Sequence, residues 1–334
     1  MEKDSEKLRE KILSMPVADV HLVEIADFSS KYIDNLRKMG GFTARYLVRS
    51  ADILVEMLSR DALIVMSFPA NLVATGMRGI LSDAIKYGIV DAVITTGGTF
   101  DHDIARGLGK KYYIGDFELD DTMLKELEIH RLGNILIPYE NYGPPIEEFT
   151  HKMLEEMTAE EKAPYRFPPT LLAKNAGIRI KDENSILSAA AGREVPVFSP
   201  GIIDGAFGTA IYTFNETLRS SRNPEEVIVD VVADMQRISD LFFEKEKVGG
   251  ILLGGGISKH HLIWWAQFRG GLDYAVAYTT APEWDGSLSG ARTREAITWG
   301  KIKPQAAHVT VPGDLTVTFP YVLAYAARET GYIG

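Results

Sequence analysis

Residues 62–76 read ALIVMSFPANLVATG, and this stretch decides the architecture. An unbroken apolar run with β-branched residues at its centre reads as a strand covered on both faces, because a strand with one wet face alternates apolar and polar residues. It ends at Pro69 and passes into small and polar residues. Runs of the same kind recur at 90–96, 195–199, 250–253, 274–278 and 308–311. Between them, stretches with apolar residues at helical spacing fall at 71–87, 120–130, 224–245 and 258–268. Strand and helix in alternation predict βαβ units, hence a doubly wound, mainly parallel α/β sheet of Rossmann-like type. Upstream, residues 34–61 (DNLRKMGGFTARYLVRSADILVEMLSRD) keep apolar positions three and four apart. Residues 1–60 are therefore expected to form a helical segment packed on an α/β domain of residues 61–334.

The composition excludes several classes. Lys and Arg number 36 against 46 Asp and Glu, a net charge of -10, which repels nucleic-acid phosphates and suits cationic ligands or a basic partner. There is no cysteine, so disulfides, thiolate metal sites and a cysteine nucleophile are ruled out, and cytoplasmic residence is expected. The opening residues, MEKDSEKLREKIL, are charged and amphipathic, and no apolar run approaches the roughly 18 residues a membrane span needs. No membrane association is expected. The seven histidines are scattered, with no HxH or HExxH pair, so no metal site is predicted.

In a sheet of this type ligands sit beyond the carboxyl ends of the strands. The loops there are FPANLVATG (68–76), TTGGTFDHD (95–103), SPGIIDGAFG (199–208) and GGGISKHH (254–261). Gly97 and Gly98, and the run Gly254, Gly255 and Gly256, let backbone amides approach a phosphate or ribose without a Cβ in the way, although tight turns would also select them. Neither run fits GxGxxG. His260 and His261 open a helix, where the dipole would keep an imidazole neutral, and only one of them can face the strand ends.

All four tryptophans, Trp264, Trp265, Trp284 and Trp299, lie close together in the sequence and are interleaved with Glu283, Asp285 and Glu295. Aromatic faces and carboxylates together suit a polyamine, though tryptophans also serve as plain core residues. The segment at 284–301, WDGSLSGARTREAITWGK, is a glycine and serine loop leading into a short helix that ends at Trp299, Gly300 and Lys301. Glu295 and Trp299, four apart, share one face of that helix. A lysine beside a tryptophan can be partly desolvated and act as a free amine toward an imine carbon.

That segment, with its pattern SGAxxxEAxxWGK, resembles the deoxyhypusine synthase family, and GGGISKHH and SPGIIDG extend the resemblance over about residues 67–319. The resemblance implies an NAD-dependent transferase. In that family NAD takes a hydride from the butyl carbon beside the secondary amine of spermidine, and the catalytic lysine attacks the resulting imine with loss of diaminopropane. The aminobutyl group then passes to a lysine of initiation factor 5A, and the hydride returns to give deoxyhypusine. On this resemblance Lys301 is the nucleophile and His260 the polar group nearest the reacting amine. Asp101, His102, Glu295, Trp299, Gly286, Ser287 and Leu288 line the amine site. Asn71, Leu72, Thr96, Gly97, Gly98, Asp204, Gly255, Thr280, Ala281 and Asp314 hold NAD. Family members form homotetramers with sites shared across a dimer interface.

The departures bear on the amine. Thr209 and Leu288 stand where eukaryotic members have aspartates, His102 replaces a glutamate, Trp264 an asparagine and Ala277 a tyrosine, a pattern that fits an archaeal-type member. A related polyamine could thus be the donor. Two other functions share the fold: homospermidine-type transfer to a free amine, and an inactive NAD-binding paralogue, against which the presence of both Lys301 and His260 weighs.

Overall fold

The computed structural model describes residues 2–220 and 225–334. Six strands form the main sheet: β1 (Ala62–Ser67), β2 (Ala92–Ile94), β3 (Val197–Phe198), β4 (Lys247–Leu253), β5 (Leu272–Thr279) and β6 (Ile302–Pro312). They run in the order β6-β5-β4-β1-β2-β3, and every neighbouring pair is parallel. In chain order this is the 3-2-1-4-5-6 arrangement of dinucleotide-binding sheets, whose direction of winding reverses between β1 and β4. The expected doubly wound α/β fold is present.

Seven helices organise the layers: α1 (Leu22–Met39), α2 (Phe42–Leu58), α3 (Met77–Lys86), α4 (Gly97–Gly107), α5 (Ala206–Arg219), α6 (Gly256–Gln267) and α7 (Leu315–Glu329). Alternate residues of β1 serve opposite layers. Ile64 and Met66 join the cluster that contains Ile33 of α1, Leu54 of α2 and Val322 of α7. Leu63 and Val65 join the cluster containing Leu262, Ile263 and Ala266 of α6 together with Ile238 and Phe242. Each fully buried aliphatic side chain contributes about 1.5–3 kcal/mol, so covering both faces is what makes a near-continuous apolar strand favourable.

The helical N-terminal region packs on the sheet. In α1 the buried positions Leu22, Ala26, Ser29, Ile33 and Leu36 recur at four and three residues, forming one stripe, and the helix ends where Gly40 adopts φ +71 and donates its amide to Leu36. Ahead of α1, Asp19 enters a buried ion cluster. Arg78 of α3, 2% exposed, reaches Asp103 (2.7 Å), Asp19 (3.1 Å) and Asp182 (2.7 Å), and Arg106 reaches Asp19 at 2.9 Å.

The expected helix 71–87 is broken at Thr75 and Gly76 into the turn Ala70–Ala74 and α3, and two further expectations need correction. The stretch 224–245 is not one helix: residue 224 lies outside the described residues, Val227–Val229 is a strand paired with Tyr165–Phe167, and only Ala233–Leu241 is helical. The β-branched run VIVDVV favours extended backbone once a partner strand is beside it. Likewise 120–130 divides into a helix, Asp121–Glu126, and a strand, Ile129–Leu132, of a small antiparallel sheet with Ile135–Pro138 and Tyr113–Ile114. Among the described residues no helix is long and apolar enough to cross a membrane, and no group of three His, Asp or Glu side chains is placed to hold a metal ion.

Candidate active site

Lys301 lies where the short helix Glu295–Thr298 gives way to β6. Gly300 turns the chain with φ +68, a left-handed value that costs a glycine little. The Lys301 amide donates to Ala296 O and its carbonyl accepts from Leu272 N, both at 3.0 Å, so its backbone is fixed on both sides. The residue is 7% exposed. Its Nζ is 3.5 Å from His260 Nε2, a long contact, and stands 5.1 and 5.6 Å from the ring centres of Trp299 and Trp264. No ion pair with a carboxylate engages it among the described residues.

His260 and Trp264 share a face of α6, and their rings are 5.6 Å apart. Burial first, and the adjacent Lys301 charge second, hold the His260 imidazole below its ordinary value, so it is neutral at pH 7. The helix dipole is not the cause, since α6 begins at Gly256 and the dipole acts within the first turn. His261 belongs elsewhere: its Nε2 accepts from the Trp265 indole at 3.2 Å, and burial, helped by His260, pushes it down to about 4.

Around Lys301 is a cavity of about 330 Å³ whose walls include His260, Trp264, Gly286, Ser287, Leu288, Glu295 and Trp299. Lys259 and Arg292 also line it. Three cationic side chains thus face one carboxylate, Glu295, within a single chain. Asp101 and His102 are not brought to this cavity. They lie on α4, which follows β2, and in the sheet β5, β4 and β1 separate β2 from β6. The Asp101 carboxylate is wholly buried and accepts from Ala206 N (2.9 Å), Phe207 N (2.7 Å) and Tyr142 OH (2.7 Å), anchoring the start of α5. Burial raises its carboxyl against the effect of these donors. His102 meets Tyr112 OH at 3.0 Å, and burial pushes it down to about 4. Thr209 is exposed on α5, its hydroxyl donating to Gly205 O.

The residues expected to hold a dinucleotide gather along the carboxyl edge of the sheet, around the reversal between β1 and β4. Asn71 is exposed in the turn Ala70–Ala74 after β1, whereas the Leu72 side chain is buried in the core. Thr96 precedes α4 and its hydroxyl accepts from Ala70 N at 3.2 Å, tying the first two loops together. Asp204 is exposed ahead of α5, and Thr280 and Ala281 follow β5. Asp314 caps α7 by accepting from Thr316 N at 2.8 Å. The glycines are required by the protein itself: a Cβ on Gly97 would lie 2.6 Å from Asp204 O, and one on Gly255 would lie 2.1 Å from Ser289 Oγ.

Trp264, whose departure from the family asparagine was read as bearing on the amine, does line the cavity, whereas Lys259 and Arg292 were missed as lining residues. Lys259 had a signal, because residues 259, 262, 263 and 266 are spaced as one helix face and the last three are apolar.

The deoxyhypusine synthase family model matches residues 31–326. The chain belongs to the deoxyhypusine synthase family. It is 50% identical over 319 residues to the "Probable deoxyhypusine synthase" of Ignicoccus hospitalis, covering 95% of this chain and 97% of that protein. The protein of the same description from Sulfurisphaera tokodaii is 49% identical over 316 residues, 95% and 98% of the two chains. Among solved structures, the "putative deoxyhypusine synthase from Entamoeba histolytica" superposes with a TM-score of 0.59 at 19% identity, over 85% of this chain and 88% of that one, a likeness of fold. Membership of the deoxyhypusine synthase family makes the protein an enzyme of the transferase class.

Proposed function

We propose that this protein uses NAD to move the aminobutyl group of spermidine onto Lys301 as an imine and from there onto a lysine of initiation factor 5A. One observation carries the reading: a nearly buried lysine with no carboxylate partner, facing a neutral imidazole and two indoles. An unpaired amine in such a setting is suited to attack a carbon, not to stabilise a fold.

The carboxyl edge fits a dinucleotide. It combines the 3-2-1-4-5-6 order, the amino ends of α4, α6 and α7, the exposed carboxylates Asp204 and Asp314, and a buried Ser67 hydroxyl at the end of β1 that has no protein partner. Asn71, Thr96, Gly98, Thr280 and Ala281 would complete the cradle. Bound there, NAD would accept a hydride from the carbon beside the secondary amine and later return it. The chain's own groups do the rest. Trp264 and Trp299 offer π faces to an ammonium, and Glu295 offers the one negative charge in the cavity. His260, neutral, accepts a hydrogen bond from Lys301 or from a substrate amine. Lys301 Nζ forms the new C–N bond as the bond to diaminopropane breaks, and the departing amine takes up a proton. The acceptor lysine then displaces Lys301 in the same sense, so Lys301 returns to its starting state.

A polyamine carries several positive charges, and three cations against one carboxylate cannot hold it. We therefore propose that a second copy of the chain supplies further acids, in a homotetramer with shared sites. The test is incubation with NAD and labelled spermidine, with either initiation factor 5A or putrescine as acceptor. Label on the protein lysine supports the reading, and label on putrescine alone replaces it with homospermidine-type transfer. Borohydride should trap an aminobutyl group on Lys301 only when NAD and amine are both present. In Lys301→Arg the adduct should vanish while NAD binding stays, since a guanidinium does not deprotonate. An adduct on Lys259 or Lys303 instead would refute the assignment.

A further inference from the structure

The cavity wall formed by residues 286–291 is not a strand or a helix, apart from the cap of the short turn Glu283–Asp285, so something must hold its shape. Its local bonds are few: Ser287 N donates to the Asp285 carboxylate at 2.7 Å, and Gly290 N and Ala291 N donate to Ser287 O, each at 3.1 Å. The carbonyls of Leu288 and Ala291 both accept from one side chain. That side chain is Lys259, whose Nζ is 2.8 Å from each oxygen. Lys259 is 3% exposed, on the inner face of α6 directly before His260. A buried ammonium is costly unless its protons are hydrogen-bonded, and here the acceptors are two peptide oxygens of the loop itself.

We propose that Lys259 is a positioning residue whose ammonium clamps the 286–291 loop into the shape that walls the Lys301 cavity. No other side chain donates to those two carbonyls among the described residues, so loss of the ammonium removes their side-chain donor. The wall would then relax away from Lys301, and Gly286, Ser287 and Leu288 would no longer meet the amine together. Lys259 acts through the loop and touches no reacting atom.

The clamp is strongest while it is protonated, because a charged donor holds peptide oxygens about twice as strongly as a neutral amine does. Burial pushes the Lys259 amine down to about 8; Glu295 favours the ammonium and Arg292 opposes it, and these are the charges that bear on it from the neighbouring helix and the loop. The group's value is lowered on folding, so its unfolded form still holds a proton where the folded form begins to lose one. The loop should therefore be firm at pH 7 and loosen as pH passes through about 8.

The effect on amine binding rests on the proposed function, so the deciding measurement does not use catalysis. Arg292 is half-buried directly after this segment, and tryptic cleavage after it reports opening of the loop. In the wild-type protein that cleavage, normalised to an unstructured peptide at each pH, should rise several-fold between pH 7 and pH 9. Lys259→Met should be cleaved fast already at pH 7, with no further rise. A wild-type rate flat across that range would overturn the proposal even if the variant fails to fold. So would a folded Lys259→Met protein cleaved as slowly as wild type. In the transfer assay the variant should raise the amine KM by about tenfold, as expected for loss of oriented contacts, while NAD affinity stays within about twofold. A fall in NAD affinity equal to the rise in KM would mean general damage and would refute the positioning role. Loop opening without any polyamine-dependent activity in wild type would leave the clamp standing and remove the proposed function.

Discussion

Glu295→Gln removes the one carboxylate of the Lys301 cavity while keeping its size and its hydrogen-bonding capacity. The cavity also holds Lys259, Arg292 and Lys301, so the variant presents three cations and no anion to an incoming ammonium. The magnitude follows from exposure. At about 4 Å a unit charge pair is worth roughly 1 kcal/mol in water and about 4 kcal/mol near a protein surface. Glu295 is exposed on its helix, so the lower end applies. An effect of about 1–1.5 kcal/mol is a rise of roughly fivefold to tenfold in the amine KM. Initial rates against spermidine at saturating NAD, at low and high salt, measure it. The KM should rise, kcat should change by less than about twofold, and added salt should raise the wild-type KM more than that of the variant, because screening removes what the mutation has already removed. An unchanged KM with a fallen kcat would refute the reasoning, for Glu295 would then act on the chemical step and not on amine binding.

Three further outcomes are expected. His260 is held below its ordinary value, so it stays neutral down to a pH below the usual histidine range and charges only there. The acid limb of the rate should lie below about pH 6.5 and disappear in His260→Gln, and a limb at or above the free-histidine value would contradict this. Arg78→Met leaves Asp19, Asp103 and Asp182 without their shared counter-charge and should cost about 3–5 kcal/mol in denaturant unfolding; a loss under about 1 kcal/mol would show that the cluster relaxes freely. Light scattering of an active preparation should give a mass above that of the monomer, and full activity at monomer mass would overturn the shared-site proposal.

The sheet was legible because its strands are covered on both faces and so carry runs of β-branched residues with glycine or proline at their ends. Short strands were not. Val227–Val229 and Tyr165–Phe167 are each only three residues long, and the pairing that fixes them spans some sixty positions, which no local spacing records. The Lys301 cavity was largely legible because most of its walls come from one continuous segment, residues 286–301, plus the start of α6. Asp101 was placed at the amine site by resemblance. In the single chain its carboxylate is spent on amides of Ala206 and Phe207, more than a hundred residues away, a partnership that only the fold creates. Lys259 was missed although its helix spacing carried a signal of burial, and nothing in the sequence said which carbonyls it would meet.

The backbone of Lys301 is held by Ala296 on one side and Leu272 on the other, so its amine has only the reach of its own four methylenes. It cannot swing a cargo outward as a long flexible arm would. On the proposed reading delivery then falls to the recipient, whose amine has to travel inward, past Trp264 and Trp299, into the cavity around Lys301. A lysine on a flat or recessed surface would stop short, and one at the tip of a slender projecting loop would arrive. Choice among the many lysines of a cell would thus be made by protrusion, before any contact specific to sequence is formed.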